Sequence, residues 1–356
     1  MARVLMLVHG MGVHGADWAA AAMAGLKEAA KPYGLHGALS TELGDGVVTL
    51  APISYDDQFT AWLGRWGGDS RELARFIRTN AIGVPANVVS WLEEVDGEEE
   101  NFLWSHLVDV LLYRFFSLVT TSVRVHVAHQ VARWWRDALA VDPNAEVSVL
   151  AYSLGTSVAH DTLALLATDP PPDATGFLAG ERQLTNLFMV SNVSRILEST
   201  PRVYESVIAP PSVRGDRAYC GSYVDVRHDL DPFPAPRPFA PAWGGADFAR
   251  IRTRAVRDFD VHSLAHYIRD PRVHVPLFRA LFGFDAIDHA TAADRIAEHD
   301  AATGPECPRR LAEFVQDCRQ RVQLIEGAED VRVLLAAGVQ FLLDVEEVRA
   351  ACGEVV

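Results

Sequence analysis

The stretch that decides the fold runs from Glu146 to Gly155 and reads EVSVLAYSLG. Its first five residues are rich in valine and leucine, as in a buried strand, and Thr156 to Leu166 is typical of a helix. Ser153 therefore stands at a strand-to-helix turn, where the small residues Ala151 and Gly155 allow the chain to bend tightly. Such a turn lifts the serine hydroxyl clear of the sheet and aims the unpaired N–H groups of the next helix at the same spot.

A second apolar run opens the chain. Arg3–Val8 predicts a buried strand, and the sequence HGMG follows it at residues 9–12. Glycine lets the backbone of such a loop pass close to another element, so that a main-chain N–H can reach the serine.

This glycine-rich loop has a rival interpretation. Gly10, Gly12 and Gly15 have the G-x-G-x-x-G spacing of a dinucleotide-binding turn. That interpretation requires an acidic residue at the end of a second strand about 20 residues on. Glu42 and Asp45 instead precede the second predicted strand, which disfavours nucleotide binding.

Acidic residues follow a later predicted strand. Gly221–Arg227 reads as a strand, and the sequence HDLDP comes directly after it. Pro232 biases Asp231 to an extended conformation and ends the strand there. Among the acidic residues of this segment, we therefore favour Asp231 as the functional carboxylate, and Asp229 and Asp225 are its competitors.

A histidine follows the last predicted strand. Ile251 to Val261 predicts that strand, and His262 comes next, at the junction between a loop and a helix. His266 would lie about one turn into the helix. We therefore favour His262, rather than His266, as the histidine that could act as a general base.

In this order the motifs resemble those of α/β-hydrolases of the serine esterase or lipase type, over residues 2–285. The resemblance implies an α/β fold with a mostly parallel central sheet flanked by helices. It also implies a catalytic triad of Ser153, Asp231 and His262, with an oxyanion hole made by the N–H groups of Met11 and Leu154.

The same resemblance implies a serine hydrolase that cleaves a small-molecule ester or lipid without a metal or organic cofactor. Two departures stand out: Ala151 replaces the usual first glycine, and Tyr152 stands where many members have histidine. Neither departure removes a catalytic atom. The alternative is a non-catalytic α/β-hydrolase scaffold that binds a ligand or a partner protein. Substrate-binding residues are not assigned.

Charge and composition limit the classes of partner that we expect. A net charge of −15 over 356 residues argues against nucleic acid as a partner. The first apolar run is too short for a signal peptide, and no run of about 18 apolar residues predicts a transmembrane segment. We therefore expect a cytoplasmic protein whose four cysteines are reduced; their spacing predicts no metal site.

The chain leaves the sheet for a long interval before the strand at residue 146. About 90 residues separate that strand from the one before it, far more than a simple crossover needs. An amphipathic stripe from Leu103 to Leu118 predicts that a helical cap is inserted at about residues 56–120. The cap tryptophans either contact substrate or fill the cap's own core: Trp62, Trp66, Trp91 and Trp104. His126 and His129 have metal-ligand spacing, but no third ligand accompanies them.

Strand patterns stop near residue 285. Two amphipathic stripes, at 311–325 and 331–345, predict a C-terminal helical extension over 286–356. The extension could pack on the main domain (1–285), form a homo-oligomer surface or bind a partner, and the sequence does not separate these roles.

Overall fold

Seven strands form one sheet in the computed structural model of the chain. The structure describes residues 1–10, 18–63, 116–174, 183–197, 208–215, 218–302 and 308–325, with single residues and short pieces between 75 and 114 and between 337 and 352.

All described strand pairs are parallel. In chain order the strands are β1 Arg3–Val8, β2 Leu39–Ser40, β3 Val48–Ile53, β4 Glu146–Tyr152, β5 Leu184–Val190, β6 Cys220–His228 and β7 Phe248–Thr253. They lie in the order β2-β3-β1-β4-β5-β6-β7. Because parallel strands end at the same edge, the residues that follow β1, β4, β5 and β6 meet along one side of the sheet.

Helices flank the sheet. They are α1 Trp18–Ala30, α2 Asp56–Leu63, α3 Ser117–Val141, α4 Leu154–Thr168, α5 Ser194–Leu197, α6 Pro211–Arg214, α7 Leu264–Arg269, α8 Pro271–Phe282, α9 His289–Ala301 and α10 Pro308–Ile325.

The alternation of side chains along β1 divides the core into two layers. Val4, Met6 and Val8 belong to a buried cluster shared with α3, α4 and α10. Leu5 and Leu7 point to the other face, into a cluster with α1, α7 and α8. Since β1 is buried on both faces, it reads as a continuous apolar run, as parallel strands do.

The expected α/β class with a parallel sheet is confirmed. The strand at Arg3–Val8 has the predicted bounds, and the strand predicted at Gly221–Arg227 extends one residue further at each end, as Cys220–His228. The last strand differs from the prediction: β7 ends at Thr253 rather than Val261, and residues 254–263 form the connection to α7. β6 pairs with β7 only up to Thr253, so the sheet determines where the strand ends.

The predicted cap falls largely outside the described residues, including Trp66, Trp91 and Trp104. Within its range, α2 is a helix, and Trp62 packs half-buried against the larger core cluster. The two histidines with metal-ligand spacing lie on α3 and pair separately with aspartates: His126 with Asp57 and His129 with Asp173.

The C-terminal segment contributes to the main core. Phe314 and Cys318 of α10 are buried in the same cluster as β1, together with Phe341 and Val345. Phe314 packs edge-on against Phe259, with ring centroids 5.6 Å apart. Of the three roles left open for this segment, packing on the main domain is therefore the one observed.

The cysteines differ in oxidation state. Cys220 and Cys318 are free and buried, whereas Cys352 is disulfide-bonded, so the expectation that all four are reduced is wrong. Among the described residues, no helix combines the length and apolarity that crossing a bilayer requires.

Candidate active site

Ser153 lies at the end of β4 in a strained turn. Its φ of 52° and ψ of −125° are rare for a residue with a side chain and cost of order 1–3 kcal/mol. Its N–H donates to the carbonyl of Val190 at 3.0 Å, which continues the pairing of β4 with β5. The turn therefore places the Ser153 side chain at the carboxyl edge of the sheet, as the sequence predicts.

Two glycines allow other chain segments to approach this turn. A Cβ on Gly155 would lie 2.1 Å from the carbonyl oxygen of His9, so only glycine fits where α4 crosses the end of β1. A Cβ on Gly10 would lie 3.1 Å from the Cβ of Ser153. The start of the glycine-rich loop therefore passes directly beside the serine.

His262 reaches Ser153 from the connection between β7 and α7. Its Nε2 lies 3.0 Å from the serine Oγ. Its backbone is held at both ends of the residue: the N–H donates to Asp260 at 3.2 Å, and the carbonyl accepts from the Tyr152 hydroxyl at 2.6 Å. These contacts aim the imidazole at the turn.

Asp231 lies behind His262. Its two carboxylate oxygens are 3.1 and 3.0 Å from Nδ1 of His262. The main-chain N–H of Phe233 donates to Oδ1 at 3.0 Å, and the hydroxyls of Ser191 and Tyr267 both donate to Oδ2 at 2.7 Å.

These donors stabilise the charged form of Asp231. Burial alone would raise the pKa of this carboxyl, but His262 and the hydrogen bonds from Ser191 and Tyr267 outweigh it and lower the pKa below its usual value. Asp231 is therefore held as a carboxylate, which can accept a hydrogen bond from a protonated Nδ1 of His262.

The competing residues lie elsewhere. Asp229 pairs with Arg252 and Arg254 at the outer strand, and Asp225 accepts from Asn192 within the sheet. The Nε2 of His266 accepts the main-chain N–H of Arg257. The structure thus brings together the preferred serine, histidine and aspartate and leaves these three residues out.

One of the two N–H groups expected to form an oxyanion hole, that of Leu154, lies within the described residues. Leu154 is the first residue of α4 and is buried, and an N–H at this position has no partner within the helix. This N–H therefore lies at the helix N-terminus, directly beside Ser153. Met11 lies outside the described residues.

Ser191 and Tyr267 are contacts of the site that the sequence reasoning missed. Ser191 directly follows β5, which lies between β4 and β6 in the sheet. A polar residue at the end of the strand between the predicted serine and aspartate was the available signal. Tyr267 lies one residue beyond the competing His266 and carried no comparable signal.

The site is closed to solvent. Ser153 has no exposed surface, Asp231 is 1% exposed and His262 is 6% exposed. The ring of Phe233 lies against the imidazole of His262, with centroids 4.1 Å apart.

A separate cavity of about 640 Å³ lies on the other face of the sheet, between α1, α7, α8 and α9. Its wall includes Ala24, Gly25, Tyr33, Ile268, His274 and Arg295. None of the three residues brought together at the sheet edge lines it. Among the described residues, no cluster of histidine, cysteine and carboxylate side chains could hold a metal ion.

No family model matches the chain, and neither a curated protein nor a solved structure matches it.

Proposed function

We propose that the chain is a serine hydrolase of the α/β-hydrolase fold, which cleaves a carboxylic ester or a related acyl bond. The observation that carries the proposal is the continuous contact from Ser153 Oγ to His262 Nε2 (3.0 Å) and from His262 Nδ1 to Asp231 (3.0 Å). The chain order serine, aspartate, histidine is that of the α/β-hydrolase fold. The order of the parallel strands that carry these residues supports the same assignment.

The chemistry follows from the position of each group. The Ser153 hydroxyl attacks the acyl carbonyl while its proton passes to Nε2 of His262. Asp231 fixes the imidazole tautomer and stabilises the imidazolium that forms. His262 then gives its proton to the departing alkoxide as the carbon–oxygen bond breaks, which leaves an acyl-enzyme and an alcohol.

Hydrolysis of the acyl-enzyme repeats these roles with water. His262 takes a proton from the attacking water and returns it to Ser153 as the carboxylic acid leaves. The Leu154 N–H, with that of Met11, binds the oxyanion in both steps, and loss of one such donor costs about 10²–10³ in rate. No step requires a metal or an organic cofactor.

A non-catalytic scaffold is the second candidate, and the complete burial of Ser153 favours it. In that case the same fold would bind a ligand or partner, and the serine would not meet a substrate. A small covalent probe distinguishes the two candidates because it needs only a reactive serine and a path to it.

The test is labelling with a fluorophosphonate probe, read by intact mass and peptide mapping, with Ser153→Ala as the control. The proposal expects one label per chain on Ser153 in the wild type and none in the variant. A folded wild-type protein that is never labelled favours the scaffold and overturns the hydrolase.

A cytoplasmic location remains a prediction from the sequence. Disulfides are rare in reducing compartments, so the disulfide at Cys352 weighs against it. Cell fractionation, with a thiol assay of Cys352 in the native protein, would decide the location.

A further inference from the structure

Ser191 lies beside the proposed acid and base. Its Oγ is 2.7 Å from Oδ2 of Asp231 and 3.1 Å from Nδ1 of His262. The side chain is fully buried, and both of these neighbours belong to the candidate site. The hydroxyl proton points to the carboxylate, because a carboxylate can only accept, and a lone pair of Oγ is then free to face Nδ1.

The backbone of Ser191 supports a role for its side chain. Its φ is 49°, and the only other residue with a side chain and positive φ among those described is Ser153. Glycine adopts this conformation without strain, and asparagine and aspartate adopt it more readily than serine does. Ser191 therefore adopts a strained conformation at a position where its hydroxyl contacts both Asp231 and His262.

The place of Ser191 in the sheet explains how it reaches Asp231. Its N–H donates to the carbonyl of Val226 at 2.8 Å, which extends the pairing of β5 with β6 by one residue. The side chain therefore leaves the carboxyl edge of the sheet between the ends of β4 and β6, which lead to Ser153 and Asp231 respectively.

We propose that Ser191 is a positioning residue, whose hydroxyl holds the carboxylate of Asp231 in the orientation that accepts Nδ1–H of His262. This inference rests on the proposed function. Asp231 receives the Phe233 N–H on Oδ1 and the hydroxyls of Ser191 and Tyr267 on Oδ2, and these donors oppose its rotation. The Tyr267 hydroxyl also accepts the N–H of His228 at 2.9 Å, so it is anchored to the backbone. Of the two hydroxyl donors, Ser191 is the one whose Oγ contacts only Asp231 and His262.

The activity test compares Ser191→Ala and Ser191→Gly with the wild type. Both variants lose the hydroxyl, but glycine relieves the positive φ and alanine does not, so their stabilities should differ. We expect both to lower kcat by about 10- to 100-fold, the cost of one hydrogen bond to a charged group. KM should stay nearly unchanged, because Ser191 lies behind Asp231 and does not reach substrate.

Ser194→Ala is the matched control. Ser194 is also a buried serine, and its hydroxyl donates to Asn192 at 2.7 Å without contacting Asp231 or His262. Its loss should leave kcat within about twofold of the wild type, since it removes one neutral hydrogen bond away from the site. Equal loss of kcat in the Ser194 and Ser191 variants would overturn the positioning role.

A double-mutant cycle identifies the route of the effect. In an Asp231→Asn background the carboxylate is gone, so Ser191→Ala should change kcat by less than about twofold further. The same 10- to 100-fold loss in both backgrounds would mean that Ser191 does not act through Asp231, and would overturn the proposal.

A readout without turnover separates this inference from the proposed function. Proton NMR of His262 labelled with ¹⁵N reports the Nδ1–H bond to Asp231 directly. We expect the Nδ1–H signal to move upfield or broaden in both Ser191 variants and to stay in place in Ser194→Ala. An unchanged signal in the Ser191 variants overturns the positioning role, even if Ser153 is labelled. If Ser153 is not labelled but the Nδ1–H signal shifts in the Ser191 variants, the hydrolase proposal is overturned and the positioning role of Ser191 is retained.

Discussion

The hydroxyl of Tyr152 donates to the carbonyl oxygen of His262 at 2.6 Å, across 110 residues of sequence. Tyr152 directly precedes Ser153, so this bond ties the turn that carries the serine to the loop that carries the histidine. Burial raises the pKa of Tyr152 well above its ordinary value, so the hydroxyl stays protonated and donates.

We expect Tyr152→Phe to lower kcat about tenfold, because the loop of His262 loses a fixed distance to the serine. The lost buried hydrogen bond should also cost about 1–2 kcal/mol of unfolding free energy. Ester turnover and urea unfolding measure the two effects. Tyr33→Phe is the control: it loses a hydroxyl bonded to His274 at 2.9 Å on the other face. An equal fall of kcat in both variants would contradict the link to His262.

Four variants test the choice of acid and base. His262→Ala and Asp231→Asn should each lower kcat by about 10³-fold or more. His266→Ala and Asp229→Asn should keep most activity, because their side chains bond to Arg257 and to the outer-strand arginines instead. The exposed ion pairs of Asp229 should contribute at most about 1 kcal/mol to stability. A larger kcat loss in either neighbour than in the preferred residue would transfer the role to it.

The strands were predictable because parallel strands buried on both faces carry an uninterrupted apolar signal. β1 and β5 have that signal, and their bounds follow from it. β7 does not: it is the outer strand, and its arginines alternate with apolar residues. Its end at Thr253 depends on pairing with β6, which the local pattern does not contain.

The candidate site divides in the same way. Ser153, Asp231 and His262 could be singled out from the sequence because each lies in a connection after a predicted strand, although His262 lies within the connection from β7 to α7 rather than directly after the strand. Ser191 has no local motif, and its role depends on Asp231, 40 residues further along the chain. Contacts of this kind arise from the order of strands in the sheet, which the sequence does not state.

The predicted cap leads to a separate test of substrate choice. If residues 56–120 form the wall of the substrate site, Trp62→Ala should change the kcat/KM ratio between long and short p-nitrophenyl esters by roughly tenfold. Labelling of Ser153 by a small probe should not change. Trp134→Ala is the control, because Trp134 is also half-buried against the larger core cluster and lies outside this segment. A fixed ratio in a folded Trp62 variant would assign the tryptophan to the core alone.

The C-terminal segment should support the site through aromatic packing. Phe341 contacts Phe233 edge-on, with centroids 6.1 Å apart, and Phe233 lies against His262. Phe341→Ala should cost about 3–5 kcal/mol of unfolding free energy and should also lower kcat, since Phe233 loses its support.

Phe278→Ala provides the comparison. Phe278 is equally buried but belongs to the cluster on the other face of the sheet. It should destabilise the fold by a similar amount and leave kcat per folded molecule unchanged. The two variants are compared by turnover well below both melting temperatures. The same kcat in both would mean that the C-terminal segment stabilises the fold without acting on the site.

Asp225 should make stability fall as the pH rises. Burial raises its pKa to about 7 in the folded chain, although Asn192, Arg227 and Arg250 partly oppose this. Its ordinary value is 3.8, so between about pH 4 and pH 7 the folded chain binds a proton that the unfolded chain releases. The stabilisation is complete below pH 4 and is lost as the pH rises through 7, by up to about 1.4 kcal/mol per pH unit.

Asp225→Asn removes this dependence, because the amide is neutral at every pH and still offers an oxygen to Asn192. The buried His160, whose pKa is lowered by burial to about 3, contributes the opposite slope, but equally in both proteins. Urea unfolding at pH 4.5, 5.5, 6.5 and 7.5 gives the difference between variant and wild type. That difference should shift steadily in favour of the variant as the pH rises. A difference that stays constant across this range would show that Asp225 is ionised in the folded chain throughout.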